Sequence, residues 1–543
     1  MPLRSLRGSS RTRTTLTAKL LEKEPTPVSW LIAVGLLWLA CRAVLFFGGV
    51  LSPDSFAYAH HAHNIATGQF APIADNFFYG YRFAVLLPVA LAYRLFGVSS
   101  LSSALFPLLA SFVTLWLVYR LGTMLLDHRT GLLAAALYTF FPLDLPWATL
   151  IGPDSFLPLL SALSFFFLIH AARSPTPGRQ GIFYALSGLC TGVAFQVRES
   201  GTVLLTALFL GAVAERWRKD TVPGILTGLG WAVAGFTVPI LLQMLYYDLA
   251  AGDPWIRFSV LRKLVAEHNA PIRGWPTSLA YYPLAMLGAD LGGLAWYGFF
   301  FYVAVFGIGW ALVRKEVLRL RLLLIWAGWI FLVLEFGPLS IRPYIPVVKT
   351  YHYLSLISVP VVLIGAYGLT AAMLRVPDRT VRPLGVQLRT LVLAGIVMFL
   401  AVTSLYGTYR VLQNFEDDAR PYQLVAVAVE HHPEWPVYVP HERWALFLNY
   451  YLGYRTGFNF YGDAVANGRS RIRYVWDVRD PVSLREAYVV AHDRYLYYEF
   501  FGNPIDRDPR IPAFVYEPPA SWRVLIRHTG TPRYNSLTLY EAG

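Results

Sequence analysis

Residues 52–56 read Ser-Pro-Asp-Ser-Phe and directly follow the first long apolar run of the chain. Residues 152–156 read Gly-Pro-Asp-Ser-Phe and again lie at the end of an apolar run. A carboxylate is costly to place near hydrocarbon, so an aspartate at the membrane edge indicates a functional site. The alternative is that each aspartate caps the helix that follows it, with the proline fixing the first turn. Because a capping carboxylate can still do chemistry, Asp54 and Asp154 are the candidate catalytic residues.

The composition excludes a soluble globular domain. The chain has 543 residues, of which 56% are apolar and 15% charged, whereas soluble chains have about 25% charged residues. The net charge is +13, which in a soluble protein would indicate nucleic acid as a partner. In a membrane protein the positive-inside rule explains such a charge better. We therefore predict no nucleic-acid partner.

The apolar runs predict a mostly α, polytopic membrane protein with about 11 transmembrane helices plus interfacial helices. Residues 82–96 are apolar but short for a span, and we expect a helix that lies in the membrane interface or dips into the membrane. Most lysines and arginines of the connections then fall on one side, which the positive-inside rule makes cytoplasmic. The predicted spans are 28–51, 101–119, 131–148, 155–172, 181–196, 199–214, 224–247, 291–313, 322–340, 351–374 and 390–408.

Three domains follow from this pattern. Residues 1–27 form a basic cytoplasmic tail, residues 28–408 the transmembrane domain, and residues 409–543 a small extracytoplasmic α/β domain with strand-like pieces. The C-terminal domain has no glycine-rich loop after a strand, so no nucleotide site is predicted. The two cysteines lie inside apolar runs and indicate neither a disulfide nor a metal framework. The first apolar run is too long for a cleavable signal peptide.

Polar residues from distant parts of the chain share the outer face under this topology. The Arg198-Glu199 pair divides the apolar stretch 181–214, and we expect an outward turn there; its alternative role is an internal ion pair that holds the turn. Basic and aromatic residues at 342–353 precede a late span, and they suit either a phosphate and a sugar ring or an ordinary interfacial belt. Arg82 is similarly a phosphate ligand or an interfacial anchor. Arg42 lies within the first span and must face protein or reach the interface.

Two further features are less specific. His60, His61 and His63 could indicate a metal site, but on a short helix His60 and His61 point apart, so we predict no metal ligands, without excluding a divalent ion. The connection 248–290 is long for a membrane protein, and loops of this kind are often lids or binding loops.

A carboxylate beside cationic groups suits the transfer of a group from a lipid phosphate to a hydroxyl. The carboxylate would accept the hydroxyl proton, and the cations would hold the phosphate that leaves. A donor already attached to lipid requires no cofactor and no cytosolic nucleotide. The predicted donor-phosphate-binding residues are Arg82, Lys349, Arg198 and His352. The residues predicted to line the substrate cavity are Tyr58, Glu199, Arg342 and Tyr351.

Residues 28–375 resemble the polytopic GT-C glycosyltransferases that use polyprenyl-phosphate sugars, in particular the protein mannosyltransferases and the aminoarabinose and galacturonic acid transferases of lipid A. Asp54 matches the first-loop acid of that group, and Asp154 its second outward acid. The stretch from Tyr81-Arg82 to Phe96-Gly97 resembles its basic-then-apolar helix. Residues 349–354, Lys-Thr-Tyr-His-Tyr-Leu, resemble its basic and tyrosine-rich approach to a late span.

The resemblance implies an inverting glycosyltransferase in the plasma (inner) membrane, with its active site on the periplasmic or extracellular side and Asp54 as the general base. The implied partners are a polyprenyl-phosphate sugar donor, membrane lipids and an extracytoplasmic acceptor hydroxyl on a lipid, glycan or protein. The Trp-Trp-Asp-Tyr-Gly signature of oligosaccharyltransferases is absent, which favours transfer of a single sugar.

Two other functions remain open from the sequence. A non-enzymatic transporter or flippase of lipid-linked glycans would have repeated halves with broken helices, and only the short echo of residues 52–56 is found. A different membrane transferase, such as a phosphoethanolamine transferase, would need a metal cluster or a threonine nucleophile in its soluble domain. Neither is recognisable in the sequence.

Overall fold

Most of the apolar runs fold into helices that pack against one another. The computed structural model describes residues 27–72, 78–216, 222–267, 280–287, 297–341, 344–347, 349–376, 380–381, 386–458, 470–500, 503–529 and 536–542. The helices of the N-terminal half are α1 Pro27–Val44, α2 Pro53–Thr67, α3 Phe83–Phe96, α4 Ser100–Leu125, α5 His128–Tyr138, α6 Phe156–Arg173, α7 Pro177–Val197, α8 Val203–Arg216, α9 Val222–Ala251 and α10 Ile256–Glu267. The next helices are α11 Tyr281–Met286, α12 Phe300–Val313, α13 Arg321–Phe336, α14 Ser358–Met373 and α15 Leu388–Val429.

Six helical segments in the described part of the chain are long and apolar enough to cross a membrane. They support a multi-pass membrane protein, while the count of about eleven spans stays a prediction. Three shorter apolar helices accompany them, one of which is α3. With 14 residues, α3 is about 21 Å long, less than the hydrocarbon thickness. The six segments are Ser100–Leu125, Phe156–Arg173, Val222–Ala251, Val317–Phe336, Tyr351–Met373 and Leu388–Val429.

The predicted span 131–148 is wrong in its second half. Helix α5 ends at Tyr138, and the chain continues as buried turns and a short 3-10 helix. Pro142 and Pro146 each lack the N–H that a helix interior requires. Asp144 lies between them and is 1% exposed. A buried carboxylate needs fixed partners, which the turns supply.

Helix α2 begins at a serine cap. The side chain of Ser52 accepts a hydrogen bond from the backbone N–H of Ser55 at 3.2 Å, as expected of an N-cap residue. Asp54 is the second residue of the helix, so the alternative in which Asp54 itself is the cap is wrong. In the second loop, Ser155 occupies the N-cap position of α6 and makes no capping hydrogen bond with its side chain.

Helices α7 and α9 pack at unusually close range through glycines. A Cβ atom on Gly235 would lie 2.0 Å from the carbonyl oxygen of Ala185, and one on Gly188 would lie 1.8 Å from that of Ala232. Only residues without a side chain allow two helix backbones to approach so closely. The turn that follows α7 carries Arg198 and Glu199.

The C-terminal region is a small α/β unit, as the sequence predicts. Its five-stranded sheet has the order β10-β11-β7-β5-β6, in which β7 pairs with β5, and β5 with β6, in parallel, and the remaining pairs are antiparallel. Helix α15 has 42 residues and runs on into this unit, so the predicted boundary at 408/409 falls inside a continuous helix. The sheet strands are β5 Val437–Val439, β6 Ile472–Tyr474, β7 Ala487–His492, β10 Arg523–His528 and β11 Leu537–Ala542. The remaining elements are the hairpins β1 Pro338–Ile341 with β2 Tyr344–Pro346, β3 Thr380–Val381 with β4 Val386–Gln387 and β8 Tyr497–Phe500 with β9 Asn503–Arg507, and the helices α16 Glu442–Tyr451, α17 Asp493–Leu496 and α18 Ala513–Tyr516.

Aromatic stacking attaches this unit to helix α2. The ring of Phe56 stacks on Phe447 of α16 with 3.7 Å between centroids. Phe447 in turn stacks on Tyr422 of α15 at 4.0 Å, and Tyr422 contacts Trp444 at 4.1 Å. Because Phe56 follows Asp54 by two residues, the C-terminal unit supports the start of α2 directly.

The glycine contact between α7 and α9 gives a stability test with a control on the same helix. Gly235→Ala should lower the thermal unfolding midpoint of the purified protein, because the added methyl overlaps the Ala185 carbonyl; overpacking of this kind costs about 1–3 kcal/mol. Gly230 has nothing within 4 Å of its Cβ direction. Gly230→Ala should therefore leave the midpoint unchanged or raise it slightly. Equal midpoints for the two variants would contradict the close packing.

Candidate functional site

The Asp54 carboxylate is exposed at the start of α2. Its Oδ1 atom accepts a hydrogen bond from the hydroxyl of Tyr79 at 2.6 Å. Within the described residues, no basic side chain lies within ion-pair distance of Asp54. The side chain is thus held by one neutral donor, and the rest of its carboxylate faces solvent. Burial raises the pKa of Tyr79 above its usual value, and the negative charge of Asp54 raises it further.

Asp154 is in the opposite situation. Its side chain is buried, and Oδ1 accepts a hydrogen bond from Arg198 Nη1 at 3.0 Å. His352 Nδ1 lies 3.6 Å from the same oxygen, and the Arg198 guanidinium lies over the ring of Tyr353 at 5.4 Å. Three predicted site residues from three separate loops therefore meet at one point. The two acids that look alike in the sequence differ in exposure and in pairing.

Arg82 joins a second group of charges immediately before α3. The guanidinium is buried and donates to the hydroxyl of Tyr58 and, at 3.1 Å, to Glu199 Oε2. The other Glu199 oxygen accepts from Arg257 Nη2 at 3.1 Å. Two guanidinium groups thus share one carboxylate, and this group carries a net positive charge. Burial alone would raise the pKa of Glu199, but Arg82 and Arg257 outweigh it and lower that pKa below its usual value.

Arg257 lies beside the predicted site residue Glu199, although no pattern in the sequence marks it. It lies in α10, inside the long connection 248–290, and is 2% exposed. Its guanidinium donates to Gln196 Oε1 at 2.6 Å, to Gln243 Oε1 at 2.9 Å and to the carbonyl of Phe195 at 2.6 Å. The long connection is therefore anchored here by a buried arginine. Only the general rule that a charge in a membrane connection needs a partner could have pointed to it.

Tyr58 connects the two groups. Its ring contacts that of Tyr79 with 5.0 Å between centroids, and its hydroxyl accepts from Arg82. Burial raises the pKa of Tyr58 to about 12, against the opposing effects of Arg82 and Arg198. Both arginines therefore act on the same hydroxyl, which keeps its proton and faces the cationic groups as a neutral side chain.

Lys349 belongs to a neighbouring cluster. Its ammonium pairs with Glu335 Oε1 at 2.8 Å, and Glu335 is fully buried. The two Glu335 oxygens also accept from the backbone N–H groups of Tyr281 and Tyr282, each at 3.1 Å. The ring of Tyr351 lies 5.5 Å from that of Tyr281. The predicted cavity residue Arg342 lies outside the described residues.

The three histidines of α2 take part in packing. His63 stacks on Tyr454 with 3.9 Å between centroids, and His60 Nε2 lies 3.1 Å from Asn64 Nδ2. Burial lowers the pKa of His61 to about 4. In the part of the chain that the structure describes, no group of three or more His, Cys, Asp or Glu side chains is arranged to hold a metal ion.

The fold is similar to that of solved structures of ArnT and of an archaeal oligosaccharyltransferase. Two crystal structures of ArnT from Cupriavidus metallidurans, one in the apo state and one bound to undecaprenyl phosphate, each match with a TM-score of 0.56 and 14% identity. The apo match covers 95% of this chain and 98% of that one, and the bound match 94% and 97%. The oligosaccharyltransferase of Archaeoglobus fulgidus tethered to an acceptor peptide matches with a TM-score of 0.50 and 12% identity over 88% of this chain and 70% of that one.

Sequence comparison adds a local match within this fold. A protein-family model described as dolichyl-phosphate-mannose-protein mannosyltransferase matches residues 84–242. No curated protein sequence matches the chain. The matched segment runs from α3 to α9 and includes Asp154, Arg198 and Glu199.

Glu199→Gln tests the sharing of one carboxylate by two buried arginines. The change leaves Arg82 and Arg257 without their counter-charge, and we expect the free energy of unfolding to fall by about 1–3 kcal/mol. The pKa of Glu199 is lowered in the folded state, so this stabilisation is complete above the usual value of 4.5 and is lost as the pH falls below it. Thermal midpoints of wild type and variant should therefore differ at pH 7 and converge on acidification.

The control for this experiment is Glu215→Gln. Glu215 pairs with Arg321 at 2.9 Å, but the arginine is 43% exposed, and pairs of this kind contribute about 0–1 kcal/mol. A midpoint change no larger for Glu199→Gln than for Glu215→Gln would show that Glu199 does not hold the two arginines.

Proposed function

We propose that this protein is a membrane glycosyltransferase that moves a single sugar from a polyprenyl-phosphate donor to an acceptor hydroxyl on a lipid, glycan or protein outside the cytoplasm. The observation that carries the proposal is the pairing state of Asp54. It is an exposed acid with a neutral partner, Tyr79, whose ring centroid lies 6.0 Å from the buried Arg82 guanidinium. A general base must be ionised and accessible, whereas a phosphate site needs fixed positive charge.

Asp54 acts as the general base in the proposed reaction. It accepts the proton of the acceptor hydroxyl while that oxygen attacks the anomeric carbon of the donor sugar. The bond between the anomeric carbon and the phosphate oxygen breaks, and the electron pair leaves on the polyprenyl phosphate. Attack from the face opposite the leaving phosphate inverts the anomeric configuration. No metal ion or cofactor is needed for this balance of bonds and charge.

Asp154 has a different role in this proposal. Its side chain is buried and paired with Arg198, which suits an orienting group better than a base that a substrate must reach. It fixes the Arg198 guanidinium and keeps His352 beside it. We therefore assign proton transfer to Asp54 and the positioning of a phosphate ligand to Asp154.

The donor phosphate is proposed to bind Arg82, Arg198 and His352, with Lys349 joining from the neighbouring cluster. A Lys349 that turns toward a phosphate would leave Glu335 with the two backbone N–H donors of Tyr281 and Tyr282. These donors keep both Glu335 oxygens hydrogen-bonded. Support for a polyprenyl phosphate comes from the similar ArnT structure that contains undecaprenyl phosphate. Tyr58, Glu199, Arg342 and Tyr351 complete the proposed cavity.

The proposed location is the plasma (inner) membrane, with the site on the periplasmic or extracellular side. The distribution of basic residues supports this orientation, because the connections opposite the site hold most of the lysines and arginines. The C-terminal unit lies on the same side as the site, since it contacts α2 through Phe56 and Phe447.

Asp54→Asn tests the role of the base. The variant should insert and unfold like wild type, because Asp54 is exposed and Asn still accepts from Tyr79. Sugar transfer should fall by a factor of about 10²–10⁴, the usual contribution of a general base. The measurement is mass spectrometry of surface lipids and glycans in a deletion strain that carries each variant. Asp417→Asn, an exposed change on α15, is the matched control, and wild-type glycan levels with Asp54→Asn would remove Asp54 from catalysis.

Arg82→Met and Lys349→Met test the phosphate ligands. Each removes one charged donor, and a hydrogen bond to a charged group contributes about 1.5–3 kcal/mol, so the Kd for undecaprenyl phosphate should rise about 10-fold to 100-fold in each variant. Binding is measured on the full chain in nanodiscs by native mass spectrometry. Arg319→Met, at an exposed pair with Glu316, should bind like wild type. Unchanged binding in both site variants would refute the phosphate assignment.

A further inference from the structure

We propose that the buried pair Arg42–Asp144 is a positioning pair. It fixes two acidic loops, residues 45–51 before Asp54 and residues 147–155 around Asp154, in position relative to one another. The proposal rests on the catalytic function proposed above. It assigns a reaction-related role to two residues that touch neither acid.

Both partners are almost completely removed from solvent, each being 1% exposed. Arg42 contacts Asp144 Oδ2 and also donates to the carbonyl of Thr139 at 2.5 Å. Asp144 Oδ2 accepts from Ser111 Oγ at 2.6 Å, and Oδ1 accepts from the hydroxyl of Tyr138 at 3.0 Å. The network therefore joins the end of α1, the middle of α4 and the turns after α5.

Separating the two charges of this buried pair is energetically costly. Loss of one partner of a buried ion pair leaves an uncompensated charge, which costs about 3–5 kcal/mol. A pair with this penalty for separation does not slide or exchange partners with water. The end of α1 and the turn at Asp144 are therefore fixed relative to each other, although 102 residues separate the two partners in sequence.

The first acidic loop begins directly after the end of α1, where Arg42 lies. Between α1 and α2 the chain is not helical, and Gly49 lies against the start of α4. A Cβ atom on Gly49 would lie 2.3 Å from the carbonyl oxygen of Ser100. The carbonyl of Gly49 accepts a hydrogen bond from the N–H of Ile151 at 3.1 Å. The segment before Asp54 thus touches the segment before Asp154 backbone to backbone.

The second acidic loop is reached from Asp144 within a few residues. The carbonyl of Asp144 accepts from the N–H of Ala148 at 2.9 Å. The intervening Trp147 places its ring 4.9 Å from that of His352, and His352 lies beside Asp154. Contacts therefore run without a gap from the buried pair to the Asp154 group.

The test compares two variants. One removes both charges of the pair, so that no charge is left unpaired, and the other keeps the ion pair. Arg42→Met/Asp144→Asn removes both charges, and the asparagine oxygen still accepts from Ser111 or Tyr138; neutral replacements of buried pairs often leave stability unchanged. Arg42→Lys keeps a cation beside Asp144. Hydrogen exchange is measured on the full chain in nanodiscs, with residues 359–369 of the buried helix α14 as the reference segment.

In the double variant, amide exchange should rise at least about tenfold in both 45–51 and 147–155, with little change in 359–369. Surface sugar transfer in the deletion strain should fall about tenfold or more, which corresponds to about 1.4 kcal/mol in the barrier. Arg42→Lys, which keeps the cation, should leave both exchange protection and sugar transfer close to the wild-type level.

Three results would overturn the proposal. The first is exchange in the two loops that stays at the wild-type level. The second is increased exchange throughout the chain, including 359–369, which would make the pair a general stability element. The third is loosened loops with undiminished sugar transfer. The exchange result does not depend on whether Asp54 is the base, so the failure of this proposal is distinguishable from failure of the catalytic one.

Discussion

A charge at the edge of a membrane must find a partner, and this constraint organises the protein. In the interior of the membrane domain Arg42 pairs with Asp144, and Arg198 pairs with Asp154 nearer the site. Glu199 is shared by two arginines. Because unpaired buried charges are far more costly than the average stability contribution of a contact, each pair fixes two distant segments of the chain. The predicted site residues lie in or near the segments that these ion pairs join, and the apolar helices pack around them.

The same constraint separates the two acids that look alike in sequence. Asp154 is buried because it is the ion-pair partner of the buried Arg198. Asp54 stays at the surface with a neutral tyrosine as its partner. A single arrangement therefore produces one acid that is buried in an ion pair and one that is exposed and bonded to a neutral hydroxyl. Division of labour between carboxylates by environment is a common way to assign proton-transfer roles.

Packing supports this arrangement from two directions. Glycines bring α7 and α9 into backbone contact, and Phe447 stacks on Phe56 near the beginning of α2. Helix α15 is continuous from the membrane domain into the C-terminal unit, which ties the two parts together mechanically. The C-terminal unit is in this sense a support for the site as well as a separate sheet.

The sequence by itself determined the helical membrane class, the small C-terminal α/β unit, the turn at 198–199 and the positions of Asp54 and Asp154 between apolar segments. These features follow from apolar run length, alternation and turn residues, which are local properties of the chain. Only the tertiary structure decided that the 131–148 stretch unwinds around Asp144, that Ser52 and not Asp54 caps α2, and that Arg257 and Glu335 belong beside the predicted site residues. Ion pairing joins residues as far apart as 117 positions, and no local pattern encodes which distant partner a buried charge will find.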